Sequence, residues 1–259
     1  MAIADFARGA GYVPRGFRRL LEPGLRPFVW LPLLINVVVF TALFWGGTEA
    51  FGGLLDWLLP AASEVSGEGW WAATKSFLLE AARWLLWPLF LLAAAVVMFY
   101  TFTAVANLVA SPFNGMLAAR VEERAGGRLP PGAAGGGMVV EVAGALGDEL
   151  RKMLHFALLA LPLVVLSLVP VVNVAAPLLW LVYGAWVLAL EYMDYPLGNH
   201  GVAFREQRRR LRRRRMLFLG FGAGVLAMTL VPGLNLLAMP TAVIAAAMLH
   251  ADEKERLSA

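Results

Sequence analysis

The chain has no cysteine, which excludes disulfide bonds, thiolate metal sites and cysteine nucleophiles. Charge is also scarce. Only 15% of residues are charged and 60% are hydrophobic, against roughly 25% and 45–50% in an average globular protein. A chain with that balance needs lipid around it. Three histidines are present, and no HExxH, GxSxG or P-loop string occurs. No catalytic residue, resident metal or cofactor is therefore expected, and the chain has no nucleotide motif of its own with which to drive a pump. The first 27 residues carry Arg8, Arg15, Arg18, Arg19 and Arg26 but no continuous apolar region ahead of a small-residue cleavage site. The N-terminus is thus expected to stay in the mature chain.

The sequence does contain two long apolar stretches, 153–190 and 216–250, each broken at its middle by a similar cluster: LVPVVN at 168–173 and LVPGLN at 230–235. The runs on either side, 153–169, 174–190, 216–231 and 236–250, hold 15 to 17 residues. That is ~22–26 Å of helix, short of the ~30 Å core of a bilayer. Each stretch reads as a helical hairpin that enters the membrane and turns back, with Pro170 and Asn173 at one apex and Pro232 and Asn235 at the other. Irregular backbone at that depth survives only where protein or a water-filled cavity covers it, which points to a permeation path. Full crossing by the hairpins would give the same charge pattern.

Ahead of the hairpins, Ile3, Phe6, Val13, Phe17, Leu20 and Leu21 among the arginines suit a helix lying in the interface, stopped by Pro23-Gly24. Residues 27–48 carry no charge and suit a crossing helix, 49–83 read as a partly helical periplasmic loop, and 84–119 form a second, longer uncharged helix that continues beyond the membrane or breaks at Ser111-Pro112. A mixed-charge loop with a Gly/Pro-rich middle, RLPPGAAGGG, is expected over 120–152, and a connector with eight arginines fills 191–215. The fold expected is thus all-α and integral to the membrane: two long transmembrane helices, two partly penetrating hairpins and an N-terminal interfacial amphipathic helix. With all basic residues except Lys75 and Arg83 on one side, 20 of 22, that side is expected to be cytoplasmic.

Six groups of residues are candidates for a role. Gly24, Leu25 and Arg26 precede the first crossing helix, where free N–H groups, a permissive glycine and a guanidinium suit a tetrahedral oxyanion. A plain turn with Arg26 reaching to headgroups explains the same residues. Tyr100, Thr103, Asn107, Ser111 and Asn114 form one polar stripe along the second long helix, either lining a pore or bonding helices together. Asn173 and Asn235 cap the return arms or offer apex amides to an anion. Gly220 and Gly224 form a GxxxG signal for close helix contact. The run Arg208–Arg210 and Arg212–Arg215 lacks aromatic interleaving, so lipid headgroups are the expected partner and nucleic acid is not. Glu191, Asp194 and His200 are the one compact acid/imidazole group in the sequence.

Three strings, PGLRPFVWLPLLIN at 23–36, ASPFNG at 110–115 and EYMDYPLGNHGVAFREQRRRLRRRR at 191–215 with the LGFGAGVLAMTLVPGLNLLAMP that follows, resemble the CysZ-type sulfate permeases of bacteria along nearly the whole chain. The resemblance implies a homo-oligomeric inner-membrane permease that imports sulfate for cysteine biosynthesis without a dedicated ATPase, with sulfite as a competing or regulatory anion. It also implies that Gly24, Leu25 and Arg26 bind sulfate. Pro27 follows Arg26, so no second basic side chain stands at that position. A non-transporting membrane scaffold or lipid-binding protein is the alternative.

Overall fold

A computed structural model describes residues 2–59, 69–127, 138–170 and 172–258, with side chains described except at 98–112, 138–149, 172 and 255–258. Among the described residues the chain is all-α, with no strand: α1 Ala2–Ala10, α2 Tyr12–Arg19, α3 Arg26–Leu58, α4 Trp70–Arg124, α5 Met138–Leu168, α6 Ala176–Asn199, α7 Phe204–Arg213, α8 Arg215–Thr229 and α9 Asn235–Ser258. Among the described residues five segments are long and apolar enough to cross a membrane: Arg26–Leu58, Trp70–Val97, Leu150–Leu168, Asn173–Asn199 and Asn235–Lys254.

Two lengths differ from the sequence reading. Helix replaces loop over 49–58 and 70–83, because the few charges there lie on helices that continue α3 and α4 past the uncharged runs. Three of the four hairpin arms also outrun the 15–17 residues assigned to them; α5 has 31 residues, α6 24 and α9 24. Charged residues such as Lys152, Asp194 and Glu253 sit within these helices because each has a partner, so charge did not mark their ends. Only α8, at 15 residues or ~22 Å, keeps the short length. Arg26–Leu58 and α4 are assigned as unbroken helices, and α4 continues through Ser111-Pro112.

The chain divides into two compact units, Trp30–Ser111 and Met1–Val29 with Pro112–Ala259. In the first, Phe51 stacks on Phe90 with ring centroids 4.0 Å apart and meets Trp87 edge-on at 5.1 Å. Beside them Arg83 donates to Asp56 at 2.8 Å and to the Leu59 carbonyl. These contacts tie α3 to α4, while Trp45, Trp57, Trp70 and Trp84 remain exposed, as side chains facing lipid or an interface do.

The second unit is organised by α8, which is thin on two faces. Gly220 and Gly224 face the N-terminal helices, where a Cβ on Gly220 would strike the Phe6 carbonyl and one on Gly224 would stand 3.0 Å from Val13 Cγ2. Gly222, two residues on and so on the opposite side of the helix, would strike the Ala185 carbonyl of α6. The GxxxG signal therefore marks a contact with α1. It also draws the N-terminal segment into the core: Tyr12, Val13 and Leu20 are buried, while Ile3, Phe17 and Leu21 stay exposed. The segment is two helices joined at Gly11, amphipathic toward protein on one side and open on the other.

Ion pairs close this unit at one end. Arg214, between α7 and α8, donates to Asp5 at 2.8 Å and also to Glu253 of α9, which is fully buried and takes a second bond from Arg8. Tyr12 donates to Asp252 at 2.7 Å, and burial together with that bond holds its phenol above the usual range.

Candidate functional site

Residues 20–25 make the turn between α2 and α3. Leu25 N–H donates to the Glu22 carbonyl at 3.1 Å, which pulls the chain round and leaves Gly24 at φ 86°, a conformation that favours glycine. Leu25 itself is buried and anchors the turn in the core. Phe28 N–H donates back to the Leu25 carbonyl and Pro27 has no N–H, and among the described backbone bonds neither the Gly24 nor the Arg26 amide is taken by a carbonyl. The Arg26 guanidinium is exposed and folds back on the Leu21 carbonyl.

Arg124, in the last turn of α4, completes the surround. It donates to the Pro23 carbonyl and to Glu22 Oε2 at 3.2 Å, and its Nη2 lies 2.6 Å from where a Gly24 Cβ would be. A hundred residues separate Arg124 from Glu22, and nothing in the local sequence pairs them. Two guanidiniums, two amides and a glycine thus converge on the turn, with Glu22 as the competing anion. An oxyanion entering here would exchange the guanidinium bonds to the Leu21 and Pro23 carbonyls for charge-assisted ones and would compete with Glu22 for Arg124.

The other sequence candidates fall in separate places. Asn114 is buried and its Nδ2 donates to the Tyr195 hydroxyl at 3.3 Å, so at this position the stripe bonds α4 to α6. The side chains of Tyr100, Thr103, Asn107 and Ser111 lie outside the described residues. Pro170 sits in the turn after α5, and Asn173 falls in a short 3-10 turn, Val172–Ala175. Ala175 occupies the N-cap of α6 and no side chain caps it, because Pro177 at the helix start already lacks the N–H that a cap would serve. Asn173 is therefore not the cap expected for α6. Asn235 begins α9 after Pro232 and Gly233, the latter at φ 85°.

The acid/imidazole group is also reassigned. Asp194 pairs with Lys152 and accepts from Gln207 at 2.6 Å, whereas His200 turns to Glu122, 2.7 Å away. Sequence proximity grouped residues that the C-terminal turn of α6 sends in different directions.

The arginine run serves two tasks. Arg214 is internal, as described above, and so is not free to meet headgroups. Arg205, Arg208, Arg209 and Arg212 line an open cavity of about 570 Å³ with Ala203 and Glu206. Hydrogen bonds from Arg210 first, then Arg209, hold the Glu206 carboxyl below the usual range. Burial, and then Arg212 and Arg205, lower the Arg208 guanidinium from its ordinary value.

Residues 12–240 match the family model described as sulfate transporter CysZ/etoposide-induced protein 2.4. The chain belongs to that family. It is 37% identical to a protein named sulfate transporter CysZ of Pseudomonas fluorescens over 252 residues, 97% of this chain and 96% of the relative. Proteins of the same name from Pectobacterium atrosepticum and Pseudomonas aeruginosa are also 37% identical, over 258 and 248 residues; the first match covers 99% of this chain and 89% of the relative, the second 95% of each. The CysZ match includes the Gly24 turn, Arg124 and the connector alike, so each feature of the candidate site lies inside the family region. The relatives are transporters by name, and the chain is a multi-pass membrane protein with five helices of crossing length among the described residues.

Proposed function

We propose that the chain conducts sulfate across the bacterial inner membrane to supply cysteine biosynthesis, without ATP hydrolysis or any catalytic step of its own. The single observation that carries this reading is the Gly24 turn, whose Leu21 and Pro23 carbonyls accept from the guanidiniums of Arg26 and Arg124, in a chain whose full-length relatives are named sulfate transporters. The termini and the arginine-rich connector face the cytoplasm on the charge rule. Sulfate exchanges water for the Gly24–Arg26 cradle, and the basic cavity beside α7 holds anionic lipid headgroups or gathers anions near its mouth. The route then passes the polar stripe at Thr103, Asn107 and Ser111 between copies of the chain in a homo-oligomer. Arg124 supplies the second guanidinium that Pro27 does not.

The cradle is tested by titrating detergent-purified protein with sulfate, chloride and phosphate. Arg26→Ala is expected to weaken sulfate binding by roughly 1.5–3 kcal/mol, about 10- to 150-fold, through loss of a charge-assisted bond. Unchanged affinity would leave the turn with a purely structural role. A scaffold would bind anionic lipid normally and show no saturable sulfate isotherm.

A further inference from the structure

The ends of α4 and α6 meet in a way that has no part in the cradle. Both close in the same glycine motif. Gly126 at φ 80° lets Gly127 N–H reach the Glu122 carbonyl at 2.9 Å and Gly126 N–H the Glu123 carbonyl at 3.1 Å. Gly201 at φ 68° lets Val202 N–H reach the Leu197 carbonyl at 3.0 Å and Gly201 N–H the Gly198 carbonyl at 2.8 Å. These paired bonds define the Schellman cap. They place Glu122 in the last turn of one helix and His200 at the C-cap of the other. His250, from the middle of α9, completes the group: its ring centroid lies 5.0 Å from that of His200.

Glu122 is 3% exposed and His250 4%. His200 Nε2 stands 2.7 Å from Glu122 Oε2, and His250 Nδ1 stands 3.3 Å from Glu122 Oε1. That second pair lacks hydrogen-bond geometry, and both atoms are buried with no hydrogen-bond partner. A buried carboxylate oxygen and a buried ring nitrogen left facing each other are costly unless something sits between them. The carboxylate also lies in the last turn of α4, where the helix dipole is negative and disfavours an anion, while the C-cap of α6 adds a second negative end. Both helix ends therefore favour a cation.

We propose that Glu122, His200 and His250 bind one divalent cation of the zinc class. Two imidazoles and one carboxylate are the ligand set such an ion takes, with a fourth position left for water. All three ligand atoms lie within 4.8 Å of one another. Ligands held ~2.0–2.1 Å from a tetrahedral ion stand about 3.3 Å apart, the separation of His250 Nδ1 and Glu122 Oε1; His200 Nε2 faces the other carboxylate oxygen at 2.7 Å and joins the same ion by a turn of its ring or of the carboxylate. The bound ion clamps α4, α6 and α9 at one point.

The test uses full-length protein, freed of any histidine tag, stripped with chelator in detergent and titrated with Co²⁺. Wild type is expected to develop the visible bands of four-coordinate cobalt, saturating at one ion per chain, and Zn²⁺ is expected to abolish the bands and raise the melting temperature. Glu122→Gln and His250→Gln are expected to lose the bands, whereas His155→Gln, which removes the one histidine outside the cluster, keeps them. Wild type without the bands overturns the proposal whatever the variants do. Bands that survive His250→Gln overturn it as well.

Discussion

Arg214→Met is expected to destabilise the protein by about 3–5 kcal/mol, the cost of breaking a buried ion pair from one side. The substitution removes two bonds at once, to Asp5 and to Glu253. Glu253 has no exposed side-chain surface, so no water replaces the lost guanidinium, and the bond from Arg8 goes to the other carboxylate oxygen. The effect is read as a drop in melting temperature in detergent of about 10 °C. Arg209→Met is the control. Its pair with Glu206 is 2.9 Å long, but the side chains are 67% and 33% exposed, and exposed pairs contribute about 0–1 kcal/mol. Equal shifts for the two variants would contradict the division of the arginine run into internal and surface members.

Gly222→Leu is expected to cost about 3 kcal/mol or more, at the upper end of overpacking penalties. The obstacle is main chain: the Cβ would strike the Ala185 carbonyl of α6, and a backbone carbonyl inside a helix cannot rotate away as a side-chain tip can. α6 and α8 must separate, which also loosens Phe218, Phe221 and Leu190 from a core where each is fully buried. The variant is expected to lose its sharp elution peak and its cooperative melt. Gly53→Ala, on α3 with nothing within 4 Å of the added carbon, is expected to be neutral or to stabilise by up to about 1 kcal/mol through helix propensity. A Gly222→Leu protein that melts like wild type would mean that α8 does not sit against α6 as described.

Much of this architecture is readable from residue pattern alone, because lipid imposes a simple rule on sequence. The apolar runs, the breaks at Pro170 and Pro232, the GxxxG face and the turn at Pro23-Gly24 are all local signals, and each corresponds to a feature of the structure. Helix ends were less legible. Lys152, Asp194 and Glu253 look like boundary charges in the sequence, yet each lies inside a helix and is neutralised by a partner from elsewhere in the chain.

The site shows the same split between local and distant information. Gly24 announces its positive φ through the Pro-Gly pair, but Arg124 reaches the turn across a hundred residues. Proximity in sequence groups His200 with Asp194, although Gly201 directly after it signals a helix end that redirects the chain. Its actual neighbours, Glu122 and His250, come from helices whose packing no periodicity reveals.

The most direct measurement is radiolabelled sulfate uptake into proteoliposomes by wild type, Arg26→Ala, Gly24→Ala and the Arg26→Ala/Arg124→Ala double variant, each first shown to melt cooperatively. The account predicts saturable uptake by wild type, a reduction with either single change, and background-level uptake by the double variant. Gly24→Ala belongs in the set because a Cβ there meets both a φ of 86° and Arg124 Nη2 at 2.6 Å. Uptake by the folded double variant equal to that of wild type would place the sulfate path away from this turn and contradict the account.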